Sequence, residues 1–437
     1  MSHKKRKAPS ADTSSTFFAP LAHLPYPEQL AVKSKLPTTL IKDVRKGLKE
    51  RSDARRYPVP EFNPTILPIA HLPESPTMAH RNKCEFTFAP DGAGGLGVGF
   101  VRRVDGSSFV VERITNDNPL VTPSMRVVLW SLESALLPRF TVYDRTTTRT
   151  GLLRTVLLRE GAVEIGVVVQ VSAQGPIEEI KQALSDWYEN IGSTHAPIVS
   201  SVSIQINPGL SDACSVAPEL VAGDSPCVKI SVCGLDFDVH PLSFFQTNTK
   251  ACEMLYGLVC DAALEGRNGE EDLLFIDVCC GVGTIGQCCA AIAPMRILGV
   301  DISESAISNA RENAIRNAVN SSTRYEAGRC EDVLPKVLKD ELHSSKSCVA
   351  IVDPPRAGLH KTVLRALRDN SEIKSVIYVS CNPESLASDC LLLCEILCER
   401  PDEDDGVSRP FRCEWTRPVD MFPHTAHCEM IAKFVRE

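Results

Sequence analysis

Two patterns of apolar and polar positions divide the chain. From about residue 81 to 235, apolar and polar residues alternate in short runs, and a period of two predicts half-buried strands. Longer stretches with a period near 3.6 interrupt the strands and predict helices. The predicted elements are a hairpin over Phe100–Ile114 turning at Asp105-Gly106, a helix over 123–137, strands over Thr141–Val171 turning at Glu160-Gly161, and a helix over 176–191. This mixed order is typical of an α+β region.

From about residue 236, the apolar runs become continuous and alternate with segments of helix length. Continuous runs indicate strands buried on both faces, and the strand–helix–strand rhythm predicts a parallel sheet. Strands are predicted at 273–277, 297–300, 347–352 and 374–379. The expected fold class is therefore α/β, with a Rossmann-like, doubly wound domain preceded by the α+β region.

The N-terminal part differs in composition. Residues 1–56 hold thirteen Lys or Arg against five Asp or Glu, a local charge of +8 in a chain whose net charge is −8. We predict a disordered basic arm that can meet phosphates, with a helix compatible with 31–56. Residues 57–80 carry six prolines, which predict an extended strap. The predicted units are thus 1–56, 57–80, 81–235 and 236–437.

Composition narrows the compartment and the class of protein. With 18 cysteines and no apolar signal-peptide core, the sequence favours a reducing, intracellular location with free thiols. The basic run Lys4–Lys7 suits nuclear import, so we expect the nucleus, the cytoplasm or both, with the mitochondrion still open. No membrane span and no metal site are predicted. Cys390, Cys394 and Cys398 recur every four residues and predict a buried stripe on one helix.

A glycine-rich turn follows the first predicted strand of the α/β half. Gly281, Gly283 and Gly286 let a ligand approach the backbone closely at a helix N-terminus. Asp301 ends the next strand, twenty residues after Gly281, which is the spacing at which an acid reaches a ribose hydroxyl. The same glycines satisfy a dinucleotide fingerprint, so this turn alone leaves a nicotinamide-dependent dehydrogenase open.

The later strands favour methyl transfer. One ends in Asp353-Pro354-Pro355-Arg356 and the next in Ser380-Cys381. Since ligands bind beyond the carboxyl ends of strands in an open α/β sheet, Asp353 and Cys381 are expected to meet the glycine turn at one edge. Neither feature is typical of dehydrogenases. Enzymes that methylate amino groups carry an aromatic residue after a similar turn, and Arg356 in that place weighs against an exocyclic nitrogen as target.

Cys381 and Glu429 together suit the methylation of a uracil at C5. That carbon becomes nucleophilic only after a group has added at C6. A thiolate can add there, and a carboxylate can later remove the proton from C5. We expect the pocket to stabilise the thiolate of Cys381, either through Arg356 or with that residue polarising a uracil carbonyl instead.

With these residues in view, the chain resembles the RNA uracil-C5 methyltransferases, and is most similar to the type that modifies the T-loop of tRNA. The matching segments occur in family order over residues 81–437. They are Arg81-Asn82-Lys83-Cys84-Glu85-Phe86, Gly151-Leu152-Leu153-Arg154, Phe244-Phe245-Gln246-Thr247-Asn248, the glycine turn, Asp353-Pro354-Pro355-Arg356, Ser380-Cys381-Asn382-Pro383 and Asp420-Met421-Phe422-Pro423-His424-Thr425-Ala426-His427-Cys428-Glu429.

The resemblance implies a Rossmann-like methyltransferase domain that uses S-adenosyl-L-methionine as methyl donor. Asp301 takes the ribose of the donor, and the Cys279–Gly283 turn wraps its amino-acid end. The family pattern differs at two positions, since an aromatic is usual at Cys279 and Glu is frequent at Asp301. The residues with family roles toward the donor are Gln246, Cys279, Gly281, Asp301 and Asp353.

The resemblance also implies that Cys381 is the nucleophile, Glu429 the base and tRNA the partner, with no obligate protein partner. No barrel-type RNA-binding module or iron–sulfur motif precedes residue 81, which favours tRNA over ribosomal RNA, although ribosomal RNA remains an alternative. A cytosine-C5 methyltransferase would carry a Pro-Cys motif at 353–355. A further alternative is a tRNA-binding or tRNA-folding protein whose methylation is dispensable. The candidate RNA contacts are Arg81, Lys83, Arg102 and Arg103.

Overall fold

The structure is a computed structural model that describes residues 17–55, 58–73, 78–104, 109–192, 198–266, 273–341, 347–396 and 410–436. Several predictions fall outside these ranges: the import signal at Lys4–Lys7, the hairpin turn at Asp105-Gly106 and the position of Cys398. The side chain of Arg103 also lies outside the described part of the chain.

The described chain forms helices and strands in a regular order. The helices are α1 Tyr26–Lys33, α2 Leu36–Arg55, α3 Pro123–Leu136, α4 Ile177–Gly192, α5 Thr249–Leu264, α6 Thr284–Ile292, α7 Glu304–Arg316, α8 Cys330–Glu341, α9 Lys361–Asp369 and α10 Pro383–Cys394. The strands are β1 Thr65–Ile66, β2 Lys83–Pro90, β3 Leu96–Arg103, β4 Phe109–Arg113, β5 Leu153–Glu160, β6 Glu164–Ser172, β7 Ile198–Asn207, β8 Glu219–Gly223, β9 Val228–Val232, β10 Leu235–Val239, β11 Leu273–Val278, β12 Arg296–Asp301, β13 Thr323–Ala327, β14 Ser347–Val352, β15 Ile373–Ser380, β16 Arg412–Val419 and β17 Glu429–Val435.

The C-terminal half is built on an eight-stranded sheet with the order β1-β16-β17-β15-β14-β11-β12-β13. Strands β11 to β15 pair in parallel, as predicted. The sheet is not parallel throughout, because β17 inserts between β15 and β16 and pairs antiparallel to both. The chain reverses its direction of winding between β11 and β14, the point at which ligands bind in such sheets.

Apolar side chains cover both faces of this sheet. One core joins it to α2, α8, α9 and α10, and the other joins it to α5, α6 and the β9–β10 hairpin. Cys390 and Cys394 of α10 are buried in the first core, which confirms the predicted cysteine stripe for these two residues. Strands β11, β14 and β15 are buried along most of their length because helices cover both faces.

A second, seven-stranded sheet lies in the α+β region, with the order β4-β3-β2-β5-β6-β7-β8. The predicted β3–β4 and β5–β6 pairs are antiparallel neighbours in it, and both are confirmed. Helices α3 and α4 pack their apolar side chains into the core of this sheet. The boundaries at 81, 235 and 236 remain predictions.

The N-terminal segment is more ordered than its composition predicted. Helix α2 buries Leu40, Ile41, Val44 and Leu48 in the core beneath α10 and the eight-stranded sheet. The expectation of a disordered arm is therefore wrong for 26–55, whereas the basic helix at its C-terminal end is confirmed. Apolar residues at helical spacing bind α2 to the fold, and its lysines, Lys42, Lys46 and Lys49, are exposed on the outer side.

The proline-rich strap is extended, as predicted. Strand β1 pairs in parallel with β16 along the outer edge of the sheet. Arg417 Nε donates a hydrogen bond of 3.1 Å to the carbonyl of Pro68. The strap therefore covers what would otherwise be an open sheet edge.

Two further observations concern membranes and metals. Over the described ranges, every helix is too short or too polar to cross a bilayer. In the same residues, no three His, Cys, Asp or Glu side chains group as ligands of a metal ion.

Candidate active site

A cavity of about 890 Å³ opens where the parallel strands of the eight-stranded sheet end. Its walls come from the segments that follow β11, β12, β14 and β15, and from the first residue of β17. All residues with a predicted site role line it: Gln246, Cys279, Gly281, Asp301, Asp353, Cys381 and Glu429. The structure thus brings the predicted set together in one place.

Cys381 and Glu429 flank the same end of the ladder between β15 and β17. Ser380, the last residue of β15, pairs with Met430; Cys381 follows Ser380, and Glu429 precedes Met430. Because β17 runs against its neighbours, its first residue lies at the edge where β15 ends.

Two buried carboxyl groups lie in this cavity. Glu429 is only 1% exposed, and neither of its carboxylate oxygens has a hydrogen-bond partner among the described residues. Burial, and then the charge of Asp353, raise the pKa of Glu429 well above its ordinary value. Burial likewise raises the pKa of Asp353 to about 7, against a hydrogen bond of 3.4 Å from Gln246 Nε2 that lowers it.

The thiol of Cys381 is half-buried. Burial raises the pKa of Cys381 above 9.0, and the charges of Glu429 and Asp353 raise it further, whereas Arg356 lowers it. The expectation that the pocket stabilises the thiolate is therefore wrong as a net effect, although Arg356 acts in the expected direction. The sequence could not show that burial of Cys381, together with two carboxylates, would outweigh one guanidinium.

The three glycines of the turn after β11 serve different purposes. Gly281 has φ +55, and among the described atoms none lies within 4 Å of where its Cβ would be, so it faces open cavity. A Cβ at Gly283 would lie 2.7 Å from the Tyr325 hydroxyl, and one at Gly286 would lie 2.8 Å from Ile297. Gly281 alone of the three lets a ligand approach the backbone, and the others are required by packing.

Asp301, the last residue of β12, holds the glycine turn that follows β11. Its two carboxylate oxygens accept hydrogen bonds from the backbone N–H groups of Gly281 at 2.9 Å and Ser303 at 2.8 Å. The carboxylate therefore fixes the turn and still faces the cavity, where its remaining lone pairs can accept from hydroxyl groups.

Gln246 is held by the α+β region. Asn82 Nδ2 donates to the Gln246 carbonyl at 2.9 Å, and the Asn82 N–H donates to the Thr247 carbonyl at 2.7 Å. The buried guanidinium of Arg159 donates to the carbonyls of Pro241 and Ser243 in the preceding segment. The loop that carries Gln246 into the cavity is thus built from both halves of the chain.

Cys279, where the resemblance leads one to expect an aromatic, adopts a left-handed backbone with φ 63. Its thiol is hydrogen-bonded to that of Cys330, a contact that raises the pKa of Cys279 and lowers that of Cys330. Both residues line the cavity, so a pair of small polarisable groups occupies this wall.

Comparison with known proteins identifies the family. Residues 229–396 match the model of the tRNA (Uracil-5-)-methyltransferase family. The tRNA (uracil-5-)-methyltransferase homolog B of Mus musculus is 30% identical over 436 residues, which cover 95% of this chain and 84% of the relative. The homolog A of the same species is 29% identical, over 100% of this chain and 72% of the relative. The chain belongs to the tRNA (uracil-5-)-methyltransferase family.

A solved structure supports the fold. The crystal structure of Pyrococcus abyssi tRNA (uracil-54, C5)-methyltransferase, in complex with S-adenosyl-L-homocysteine, superposes with a TM-score of 0.66. It is 24% identical and covers 97% of this chain and 87% of that one. The predicted family and the Rossmann-like methyltransferase fold are both confirmed. The protein is an enzyme of the uracil-C5 methyltransferase class, which depends on S-adenosylmethionine.

Several residues for which the sequence predicted no role also line the cavity of this tRNA (uracil-5-)-methyltransferase family member. Phe244 is 71% exposed although it is a large apolar side chain next to Gln246. The sequence did indicate the exposure of Phe244. Two successive aromatic residues cannot both be buried on the same side of an extended chain. The other aromatic or imidazole side chains on the wall are Phe18, His80, His360, Phe422 and His427.

The residues predicted to contact RNA lie partly in the cavity wall and partly outside it. Arg81 lines the cavity, and Arg102 is exposed on β3. Lys83 instead donates to the Leu242 carbonyl at 3.3 Å, and burial together with nearby Arg159 lowers the pKa of Lys83 to about 8. That lysine supports the loop before Gln246, so it is a poor candidate for a phosphate contact.

Proposed function

We propose that the protein methylates C5 of a uridine in tRNA, with the T-loop uridine as its target. The observation that carries this proposal is that Cys381 and Glu429 line one cavity and flank the same end of the β15–β17 ladder. The named relatives support tRNA as the substrate, and the Pyrococcus abyssi protein supports uracil 54 as the position.

The residues around the glycine turn fit S-adenosylmethionine. Gly281 offers an open backbone surface, Asp301 offers carboxylate oxygens suited to ribose hydroxyls, and Asp353 faces the same space. Gln246 and Cys279 complete the wall toward the donor. When bound there, S-adenosylmethionine supplies an electrophilic methyl group on a sulfonium, which C5 accepts with release of S-adenosylhomocysteine.

The chain supplies the nucleophile and the base. The Cys381 thiolate adds to C6 of the uracil, which breaks the C5–C6 double bond and places electron density on C5 and O4. After C5 has gained the methyl group, Glu429 takes the proton from C5. The electron pair of that C–H bond re-forms the double bond, and the C6–S bond breaks to return the Cys381 thiolate.

The surroundings of Glu429 suit that proton transfer. A carboxylate with a raised pKa is a stronger base, and burial without hydrogen-bond partners keeps Glu429 from being held in an inactive arrangement. Its charge also disfavours the thiolate of Cys381.

The uracil must leave its stack to reach this cavity. The exposed ring of Phe244 and the guanidinium of Arg81 stand on the cavity wall, where they can stack on a base and contact a phosphate. Among the described residues, the guanidinium of Arg81 forms no ion pair. We therefore assign the entry side of the cavity to Phe244 and Arg81.

The test uses Cys381→Ala and Glu429→Gln in the full-length protein with a tRNA transcript. Cys381→Ala is expected to lose turnover while it binds S-adenosylhomocysteine as the wild type does. Glu429→Gln is expected to transfer the methyl group, fail to remove the C5 proton and accumulate a covalent protein–RNA adduct. Mass spectrometry of RNA-linked peptides and filter binding measure these outcomes.

Cys390→Ala is the matched control, because Cys390 is buried in α10 away from the cavity. It is expected to retain turnover in proportion to the folded protein. Normal methylation by Cys381→Ala would refute the nucleophile, and normal turnover by Glu429→Gln would refute the base. A methylated uridine outside the T-loop, located by fragment mass spectrometry, would refute the proposed position alone.

A further inference from the structure

Helix α1 turns polar side chains toward the protein interior. Tyr26, Gln29 and Lys33 are spaced by three and four residues, so they lie on one helical face. All are buried, at 6%, 1% and 1% exposure, while the apolar Val32 is 41% exposed. A helix held by apolar burial would show the reverse arrangement, so specific polar contacts dock α1.

The first of these contacts hold Asp420, which follows β16. Its Oδ2 accepts a hydrogen bond of 2.8 Å from the Tyr26 hydroxyl, and its Oδ1 accepts one of 2.5 Å from Lys33 Nζ. Lys33 also donates to the Phe422 carbonyl at 2.8 Å. The side chains of Lys33 and Asp420 are fully buried, and the two form an ion pair in which each charge is neutralised by the other.

The second set of contacts holds His424, four residues further on. Its backbone is left-handed, with φ 67, a conformation that is unfavourable for a residue with a side chain unless the surroundings enforce it. Gln29 Oε1 accepts from the His424 N–H at 2.8 Å, and the Leu21 N–H donates to the His424 carbonyl at 2.9 Å. The N-terminal segment thus fixes both backbone groups of this residue.

The segment between these anchors forms part of the active-site wall. Phe422, Thr425 and His427 line the cavity, and the chain then enters β17 at Glu429. Glu429 has no side-chain hydrogen bond within the described residues that would orient its carboxyl group. Its position therefore depends on the backbone around it: Glu429 pairs with Val419 in the β16–β17 ladder, and the 420–428 segment connects these two residues.

We propose that Tyr26, Gln29 and Lys33 are positioning residues for Glu429: through the 420–428 segment, they hold the carboxyl group where it can take the proton from C5. This inference rests on the proposed function. Helix α1 contacts neither the RNA substrate nor the methyl donor. Its effect is confined to the proton-removal step and the geometry that the step requires.

The test is Lys33→Met in the full-length protein, with Lys35→Met as matched control because Lys35 is exposed in the turn between α1 and α2. Proton removal is expected to slow by roughly ten- to a hundredfold, the loss typical of a displaced catalytic group. The covalent Cys381–RNA adduct is then expected to accumulate, as in Glu429→Gln. Rates are divided by the folded fraction, measured as the stoichiometry of S-adenosylhomocysteine binding.

A merely structural role would lower the folded fraction and leave the adduct fraction of the folded protein unchanged. That outcome, or an adduct fraction equal to that of Lys35→Met, overturns the inference. Should Lys33→Met fail to fold, Tyr26→Phe decides, because it removes one hydrogen bond to Asp420 and leaves the charges paired. A raised adduct fraction in that variant supports the inference, and a wild-type fraction overturns it.

Failure of the proposed function gives a different result. If Glu429→Gln itself forms no adduct, the base assignment is wrong whatever the α1 variants do. If Glu429→Gln accumulates adduct but neither α1 variant does, the base assignment stands and the positioning role alone is refuted.

Discussion

Replacement of the buried Asp277 by Asn should make the protein more stable at neutral pH, although it removes a residue beside the active site. Asp277 lies within β11 and is fully buried. Its Oδ2 accepts a hydrogen bond of 3.1 Å from the Gly286 N–H, and its Oδ1 has no partner among the described residues. Burial, with smaller contributions from the charges of Asp353 and Asp301, raises the pKa of Asp277 from 3.8 to about 7.

The direction in which stability changes with pH follows from proton linkage. The folded protein holds this proton more tightly than the unfolded chain, so the stability that Asp277 contributes is present in full below about pH 4 and is lost as pH rises toward 7. Each pKa unit corresponds to about 1.4 kcal/mol, which gives a loss of up to about 4 kcal/mol across that window. Asn cannot ionise, so Asp277→Asn escapes this loss.

The diagnostic quantity is the pH dependence of the difference in unfolding free energy between Asp277→Asn and the wild type. It should grow in favour of the variant by up to about 1.4 kcal/mol per pH unit between pH 5 and 7. Any constant cost of the amide at the unpartnered site leaves this slope unchanged. Urea unfolding is followed by the fluorescence of Trp415 in β16, in a background where Trp130 of α3 and Trp187 of α4 are replaced by Phe.

Asp261→Asn is the control, because that aspartate is exposed on α5. Its difference from the wild type should not change with pH over the same range. If the Asp277→Asn difference is also constant between pH 5 and 7, the carboxyl group is ionised in the folded protein at low cost. The reasoning from burial would then be refuted.

Two further predictions test other parts of the structure. The rate of Cys381–RNA adduct formation at saturating RNA should rise about tenfold per pH unit from pH 7 to 9, because the pKa of Cys381 is raised above 9.0. Arg356→Met should be slower than Arg356→Lys at each pH, and a flat pH profile would contradict the raised pKa. Leu48→Ala should lower the unfolding free energy by about 2–4 kcal/mol, because this side chain is 1% exposed in the core; calorimetry showing no change would mean that α2 is not docked.

Strand ends were the part of the site that the sequence could predict. Continuous apolar runs located β11, β12, β14 and β15, and the rule that ligands bind beyond their carboxyl ends placed Asp301, Asp353 and Cys381 together. Glu429 could not be placed in this way. Its position depends on β17 inserting antiparallel between β15 and β16, and strand order is a property of tertiary packing that local pattern does not encode.

The order of 26–55 was missed for a related reason. Charge and low hydropathy made this segment resemble a solvated arm, yet four apolar residues at helical spacing in α2 were sufficient to dock it. For α1 even that signal is missing, because its buried face is polar. Hydrophobic periodicity cannot detect a helix held by an ion pair and hydrogen bonds, whose partners lie nearly the whole chain away.

The separation between these partners has a consequence for how the cavity is completed. The hydrogen bond from Tyr26 to Asp420 joins residues 394 positions apart, and the 420–428 segment that it helps to hold also packs Met421 and Phe422 against the apolar core of the sheet. Closing so long a loop costs entropy that only the finished contacts repay. The parallel strands can hold Cys381 and Asp353 without α1, but the segment leading to Glu429 depends on both ends of the chain. The nucleophile and the base therefore differ in what precedes them along the chain: Cys381 follows a parallel strand of the sheet, whereas Glu429 follows a segment held in part by polar contacts between the chain's two ends.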